Sequence, residues 1–166
     1  TVFVPYSAPG DVIDIKLNGA KGRLRHIHQK SPHRIEPVCA HFTKCGGCQL
    51  QHIEEDYYKN WKAGLIKTAL KNQGIDDVEI LPLRASPQSS RRRTSLQAIG
   101  RGEGKIVLGY AEKGSHNLVD INMCPILVPE IVAFIDPLRE FLKKLLKVKQ
   151  KMTIQITKGD NGLDVV

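Results

Sequence analysis

Three cysteines crowd into ten residues, Cys39-Ala40-His41-Phe42-Thr43-Lys44-Cys45-Gly46-Gly47-Cys48, and the fourth, Cys124, stands far downstream in Asn122-Met123-Cys124-Pro125. No other pattern in the chain restricts folding as strongly, because four thiolates on one centre would pin a short loop to a remote segment. The first residues lack the basic-then-apolar plan of a signal peptide, so the chain reads as cytoplasmic and its cysteines as a metal site or reactive thiols rather than disulfides. Gly46-Gly47 is expected to let the backbone curl, turning thiolates and several amide N–H groups toward one point. Two metals compete for Cys39, Cys45, Cys48 and Cys124, since a 4Fe-4S cluster is held by four cysteines and structural zinc accepts the same set. Zinc sites usually use two short C-x2-C knuckles, so the spacing leans toward iron-sulfur, although it is not the ferredoxin spacing. His41 and His52 could stand in for a cysteine at zinc, but with four thiols at hand they read as supporting or surface groups.

A chain of 166 residues with 41% hydrophobic content builds a real core, as one ordinary domain or two small ones, which excludes a disordered chain. The net charge of +8 points to a polyanionic partner, nucleic acid first, and no apolar run approaches the ~18 residues of a membrane span. Between Lys16 and Arg34 the chain carries Lys16, Lys21, Arg23, Arg25, Lys30 and Arg34 with no acid among them. A second cluster, Arg91-Arg92-Arg93, has Arg84 upstream and Arg101 and Lys105 downstream. Either could be a solvated strand face, but three adjacent guanidiniums repel unless an anion shares them, so Lys21, Arg23, Arg25, Arg91, Arg92 and Arg93 are the expected phosphate contacts. Strand alternation sends Arg91 and Arg93 to one face and Arg92 to the other.

Short strands with glycine turns, at Val2–Val4, Asp11–Leu17 and Gly22–His28, predict a small, incomplete β-barrel over residues 1–37. A helix is predicted over 54–73, with Tyr57, Trp61, Leu65 and Ala69 on one row and Tyr58, Ile66 and Leu70 beside it; that spacing favours core packing over stacking on bases. Strands follow at 78–83, 93–99, 106–111 and 117–121, then a helix over 131–146 with Pro129 at its first turn and a kink or restart at Pro137. Two more strands are expected at 154–157 and 163–166. Gly100-Arg101-Gly102-Glu103-Gly104 imitates a nucleotide-binding loop, but strand follows it rather than helix, so a hairpin turn is expected. The fold class is therefore α+β: a partial barrel, then an α/β domain over 38–166 with a mixed or antiparallel sheet and two main helices. The chain starts and stops inside strand-like runs, which predicts a piece of a longer protein.

The strings Ser31-Pro32-His33-Arg34, Pro37-Val38-Cys39-Ala40-His41-Phe42 and Cys45-Gly46-Gly47-Cys48-Gln49-Leu50-Gln51-His52 follow one another, with Tyr58 and Lys62 after them. With Arg91-Arg92-Arg93, Gly109-Tyr110, Val119-Asp120 and Cys124-Pro125-Ile126-Leu127 in the same order, the chain resembles the RNA (uracil-5-)-methyltransferase family, in particular its iron-sulfur 23S rRNA members. The resemblance implies a TRAM domain (an OB-like RNA-binding barrel) at 1–37, cut at its front, and a central domain with a 4Fe-4S cluster on Cys39, Cys45, Cys48 and Cys124. It also implies ribosomal RNA, 23S most of all, as partner of a monomeric protein that touches no membrane. In the family a further C-terminal domain binds S-adenosylmethionine, and its cysteine attacks C6 of a flipped uracil so that C5 accepts the methyl group. No stretch of this chain matches that domain, so no catalytic residue carries over and the chain alone is expected to be inactive.

Overall fold

A computed structural model describes all 166 residues, Thr1–Val166. Seven strands and two helices form an α+β protein whose two sheets are both antiparallel, with no closed barrel. The residues gather into two compact units, Thr1–Pro37 with Gln49–Ala85 and Val38–Cys48 with Ser86–Val166. Where the sequence suggests a division at 37/38, the cysteine loop alone groups with the later residues, and the first helix groups with the earlier ones.

In the first unit, β1 (Val12–Asn18) and β2 (Lys21–Gln29) form a hairpin in which Lys16 faces Arg23. The strand expected at Val2–Val4 is reduced to one bridge, Phe3 to Lys21, with Phe3 N–H donating to the Ala20 carbonyl at 2.9 Å. Gly22 permits this crossing, since a Cβ there would sit 2.9 Å from Val4 Cγ2. Asp11 locks the hairpin to residues 31–34: its carboxylate accepts from the amides of Ala8 (2.6 Å) and Ser31 (2.9 Å) and from both Nε (3.1 Å) and Nη2 of Arg34.

The first helix, α1 (Glu55–Lys71), ends at Gly74, whose positive φ of 72° lets Ile75 N–H reach back to the Leu70 carbonyl. It buries no residue, and the expected core face instead lines an open groove: Tyr57, Tyr58 and Trp61 face Ser7, Ala8, Pro9, Leu50 and Ile53 across about 360 Å³. A two-stranded sheet is too narrow to bury a helix of 17 residues. The strand predicted at 78–83 is irregular, because Pro82 removes a ladder donor and no strand pairs with the segment.

The second unit is a five-stranded sheet in the order β5-β4-β3-β6-β7, built from β3 (Arg93–Gly100), β4 (Ile106–Ala111), β5 (Leu118–Asp120), β6 (Lys151–Lys158) and β7 (Leu163–Val165). The second helix, α2 (Pro129–Leu145), presents Ile131, Ile135, Leu138 and Leu142 to Leu96, Ala98, Leu108, Ile154 and Ile156 of the sheet, and all nine are buried. Pro137 neither ends nor restarts the helix, because apolar residues on both sides of it are held in the core. Arg139 fastens α2 to the sheet through the carbonyls of Ile106 (3.0 Å) and Ile121 (2.7 Å) and the Asp120 carboxylate. Gly109 lets β5 draw in, since a Cβ there would lie 2.0 Å from the Val119 carbonyl oxygen. The predicted hairpin joins β3 to β4, with Arg101 N–H on the Lys105 carbonyl at 2.7 Å and positive φ at Glu103 and Gly104. Along β3 the exposed Arg93, Ser95 and Gln97 alternate with the buried Thr94, Leu96 and Ala98, so a polar row faces away from the core. No helix is long and apolar enough to cross a membrane.

Candidate metal centre and nucleic-acid interface

All four cysteines belong to the second unit. The loop carrying Cys39, Cys45 and Cys48 turns on the His41 carbonyl, which accepts from Cys45 N–H at 2.9 Å. It docks on the end of β4 through Gly46 N–H to the Ala111 carbonyl (2.9 Å) and Lys113 N–H to the Lys44 carbonyl (3.2 Å). The glycine pair therefore acts differently from expectation. Gly46 spends its amide on β4, where a Cβ would come within 2.9 Å of the Ala111 oxygen, and Gly47 alone points its N–H at a thiol, Cys45 Sγ at 3.4 Å. Neither glycine takes a positive φ.

Cys124 lies just past β5, and its carbonyl accepts from Leu127 N–H at 3.2 Å. The next residues pair with the approach to β3: Arg91 N–H donates to the Ile126 carbonyl (2.9 Å) and Val128 N–H to the Arg91 carbonyl (3.1 Å). The fourth thiol and the first arginine thus share one short ladder.

The thiols feel one another. Burial first, and then the neighbouring Cys48 and Cys39, push the Cys45 thiol up against the pull of the Gly47 amide. Cys124 is raised in the same way by burial and by Cys39 and Cys48, opposed by the amides of Ile126 and Leu127. Tyr110, buried beside them with its hydroxyl 2.6 Å from Thr94 Oγ1, is pushed up to about 12, chiefly by burial. Thiols that resist ionisation because they are buried among other thiols are the ones a cation stabilises as thiolates. His41 Nε2, two residues from Cys39, is buried without a hydrogen-bond partner. Converging thiols, amide donors and an orphaned imidazole nitrogen fit a thiolate-ligated metal group. No three His, Cys, Asp or Glu side chains gather tightly enough to hold a single ion. His52 is in the other unit, buried, with Nε2 3.2 Å from the Ser7 carbonyl.

The basic residues divide by role. Lys21, Arg23 and Arg25 stand exposed along one side of β2. Arg34, counted with that face from sequence, is turned inward, its side chain 12% exposed against an Asp11 side chain at 1%. Arg91 and Arg93 line one cavity of about 430 Å³ with Gly47, Thr94, Ser95, Tyr110 and Gln155. Arg92 points elsewhere, to the Lys158 carbonyl (3.1 Å) and the Asp160 carboxylate (3.3 Å). Sequence reasoning missed Asp11, Tyr110 and Gln155; only the Gly109-Tyr110 string hinted at one of them.

No protein-family model matches the chain. It is 39% identical over 165 residues to a protein of Caulobacter vibrioides named as an uncharacterized RNA methyltransferase, covering 98% of this chain and 40% of that one. A similarly named protein of Brucella suis is 38% identical over 99% of this chain and 39% of its own length. The 23S rRNA (uracil(1939)-C(5))-methyltransferase RlmD of Pectobacterium atrosepticum is 36% identical over 98% of this chain and 38% of its own. The chain thus spans about two fifths of the length of the curated relatives it matches, in their N-terminal part. The likeness runs over 98% of the chain and places it with the N-terminal part of proteins named as RNA methyltransferases.

Proposed function

We propose that the chain is the RNA-recognition and cluster-bearing portion of an S-adenosylmethionine-dependent 23S rRNA (uracil-5-)-methyltransferase, working as a cytoplasmic monomer. The observation that carries this reading is that Cys39, Cys45, Cys48 and Cys124 share one unit, with Cys124 leading into the residues that pair with Arg91. Cys39, Cys45, Cys48 and Cys124 would hold a 4Fe-4S cluster. Three clustered cysteines with a distant fourth suit a cluster whose thiolates each bind a separate iron more than the two short knuckles usual for structural zinc. The cluster would supply cross-linking rather than chemistry, tying the loop on the end of β4 to the residues that follow β5. Lys21, Arg23 and Arg25 on one unit, with Arg91 and Arg93 on the other, would capture RNA phosphates, while a TRAM-type role falls to residues 1–37. On this reading S-adenosylmethionine, the cysteine nucleophile and the flipped uridine would belong to a further domain, and residues 1–166 alone would transfer no methyl group.

Anaerobic purification followed by an absorption spectrum and iron, sulfide and zinc analysis tests the centre. About four iron and four sulfide per chain with a broad band near 400 nm are expected. One zinc and no colour would replace the cluster with a structural zinc site.

A further inference from the structure

The cavity lined by Arg91 and Arg93 has a more specific construction than a basic surface. It lies where the polar row of β3 meets β6, and Ser95 and Gln155 are direct cross-strand partners there. With its amide turned so that Oε1 faces the arginine, Gln155 accepts from both Nε and Nη2 of Arg93. This neutral partner fixes the guanidinium without cancelling its charge, unlike the carboxylate that Arg92 meets. Arg91 joins the lining with its backbone fixed by Ile126 and Val128. Ser95 adds an exposed hydroxyl, Gly47 leaves room on the cysteine-loop side, and no carboxylate lines the space. About 430 Å³ is in the range of pockets that seat small ligands.

We propose that this cavity seats one nucleotide of the bound RNA, its phosphate shared between Arg91 and Arg93 beside the Ser95 hydroxyl, with Gln155 as the positioning residue for Arg93. The inference rests on the RNA reading above and adds to it a defined seat, two further residues, and the exclusion of Arg92.

The test is fluorescence anisotropy of a labelled, uridine-containing single-stranded RNA titrated with the full metal-loaded chain across a salt series. Arg93→Ala should weaken binding about tenfold at low salt, the loss of one charge-assisted contact. It should also reduce the slope of log affinity against log salt by about 0.7, one phosphate's share on a single strand. Gln155→Glu sets a carboxylate against Arg93 and should reproduce both effects. Gln155→Ala should weaken binding while keeping the slope, because the charge remains. In an Arg93→Ala background Gln155→Ala should cost nothing further, and Arg92→Ala should leave the slope untouched. Ser95→Ala, on the exposed face, should lose about fivefold. Gln155→Glu binding like the unsubstituted chain, additive losses in the Arg93→Ala/Gln155→Ala double variant, or Arg92→Ala matching Arg93→Ala would overturn the proposal. If RNA binds with strong salt dependence and none of these variants matters, the seat is wrong and the RNA reading stands. A loaded chain that shows no salt-dependent RNA binding would sink both.

Discussion

Asp11 offers a sharp test of how the first unit is held, because a single carboxylate there does the work of a small core. Its side chain is 1% exposed and accepts four hydrogen bonds, two from the Ala8 and Ser31 amides and two from the Arg34 guanidinium, which is itself 12% exposed. Asp11→Ala strands a buried guanidinium whose remaining partner is the Tyr6 carbonyl at 3.0 Å. Removing one member of a buried, hydrogen-bonded ion pair costs about 3–5 kcal/mol, and the Tyr6 contact argues for the lower end. Arg34→Ala should cost about as much, and the double variant well below the sum, with a coupling of at least about 2 kcal/mol. Trp61, the only tryptophan, sits in the same unit, so denaturant unfolding followed by its fluorescence reads the effect directly. Acid should have a matching effect. The Arg34 hydrogen bond above all, against burial and helped by the Ser31 and Ala8 amides, holds the Asp11 carboxyl well below the usual carboxylate range. Folded Asp11 therefore binds its proton more weakly than the unfolded chain does. Its stabilisation is complete above the ordinary carboxylate value of about 3.9 and is lost as pH falls through that value toward the lower folded one. Asp11→Asn should flatten that loss, so the stabilities of parent and variant converge below about pH 4. Single variants that each cost under about 1 kcal/mol, or energies that simply add, would refute the clamp.

Leu108→Ala should destabilise the second unit by about 3 kcal/mol, since that side chain is 0% exposed under α2, whereas Leu65→Ala on the open helix, at 49% exposure, should change thermal unfolding by less than about 0.5 kcal/mol. Gly109→Ala should cost about 2–3 kcal/mol by forcing β5 off the Val119 carbonyl, while Gly102→Ala, with nothing within 4 Å of the new methyl, should be near neutral in the same melt. Cys124→Ser should lose most of the bound metal and lower the melting temperature more than His41→Ala does, because a ligand joins two segments and a supporting imidazole does not. Equal shifts in the metal-loaded proteins would count against this ligand set.

What sequence revealed and what it hid follow from the range of each interaction. The centre of the second unit's sheet was legible because alternation along Arg93–Ala98 is a local, period-two signal that its burial obeys. The same alternation separated Arg91 and Arg93 from Arg92, as the shared cavity and the Asp160 contact now display. Helix α1 was legible as a helix but not as an exposed one: the Tyr57, Trp61, Leu65 row specifies an apolar face, and periodicity says nothing about whether a layer exists to cover it. The segment 78–83 has strand composition without a strand for the same reason, since a ladder needs a partner edge that composition does not supply.

The site divides along the same line. Spacing suggested that the four cysteines belong together, and they do fall in one unit, but the work of each neighbour could not be read. Gly46 looked like a hinge for the thiolates and is instead a close contact with the Ala111–Lys113 backbone. Ser31-Pro32-His33-Arg34 looked like the end of an RNA face. In the structure the Ser31 hydroxyl caps His33 N–H at 3.1 Å, and Arg34 closes on Asp11. A motif of that kind answers a folding requirement rather than a ligand. Gln155 is the converse: nothing around it in sequence marks it, because its meaning lies in a cross-strand register formed with Ser95, far earlier in the chain. A long-range pairing of this kind turns an ordinary strand glutamine into the one neutral group that orients Arg93, and so the residues that fix the arginine's aim are legible only once β3 and β6 are paired.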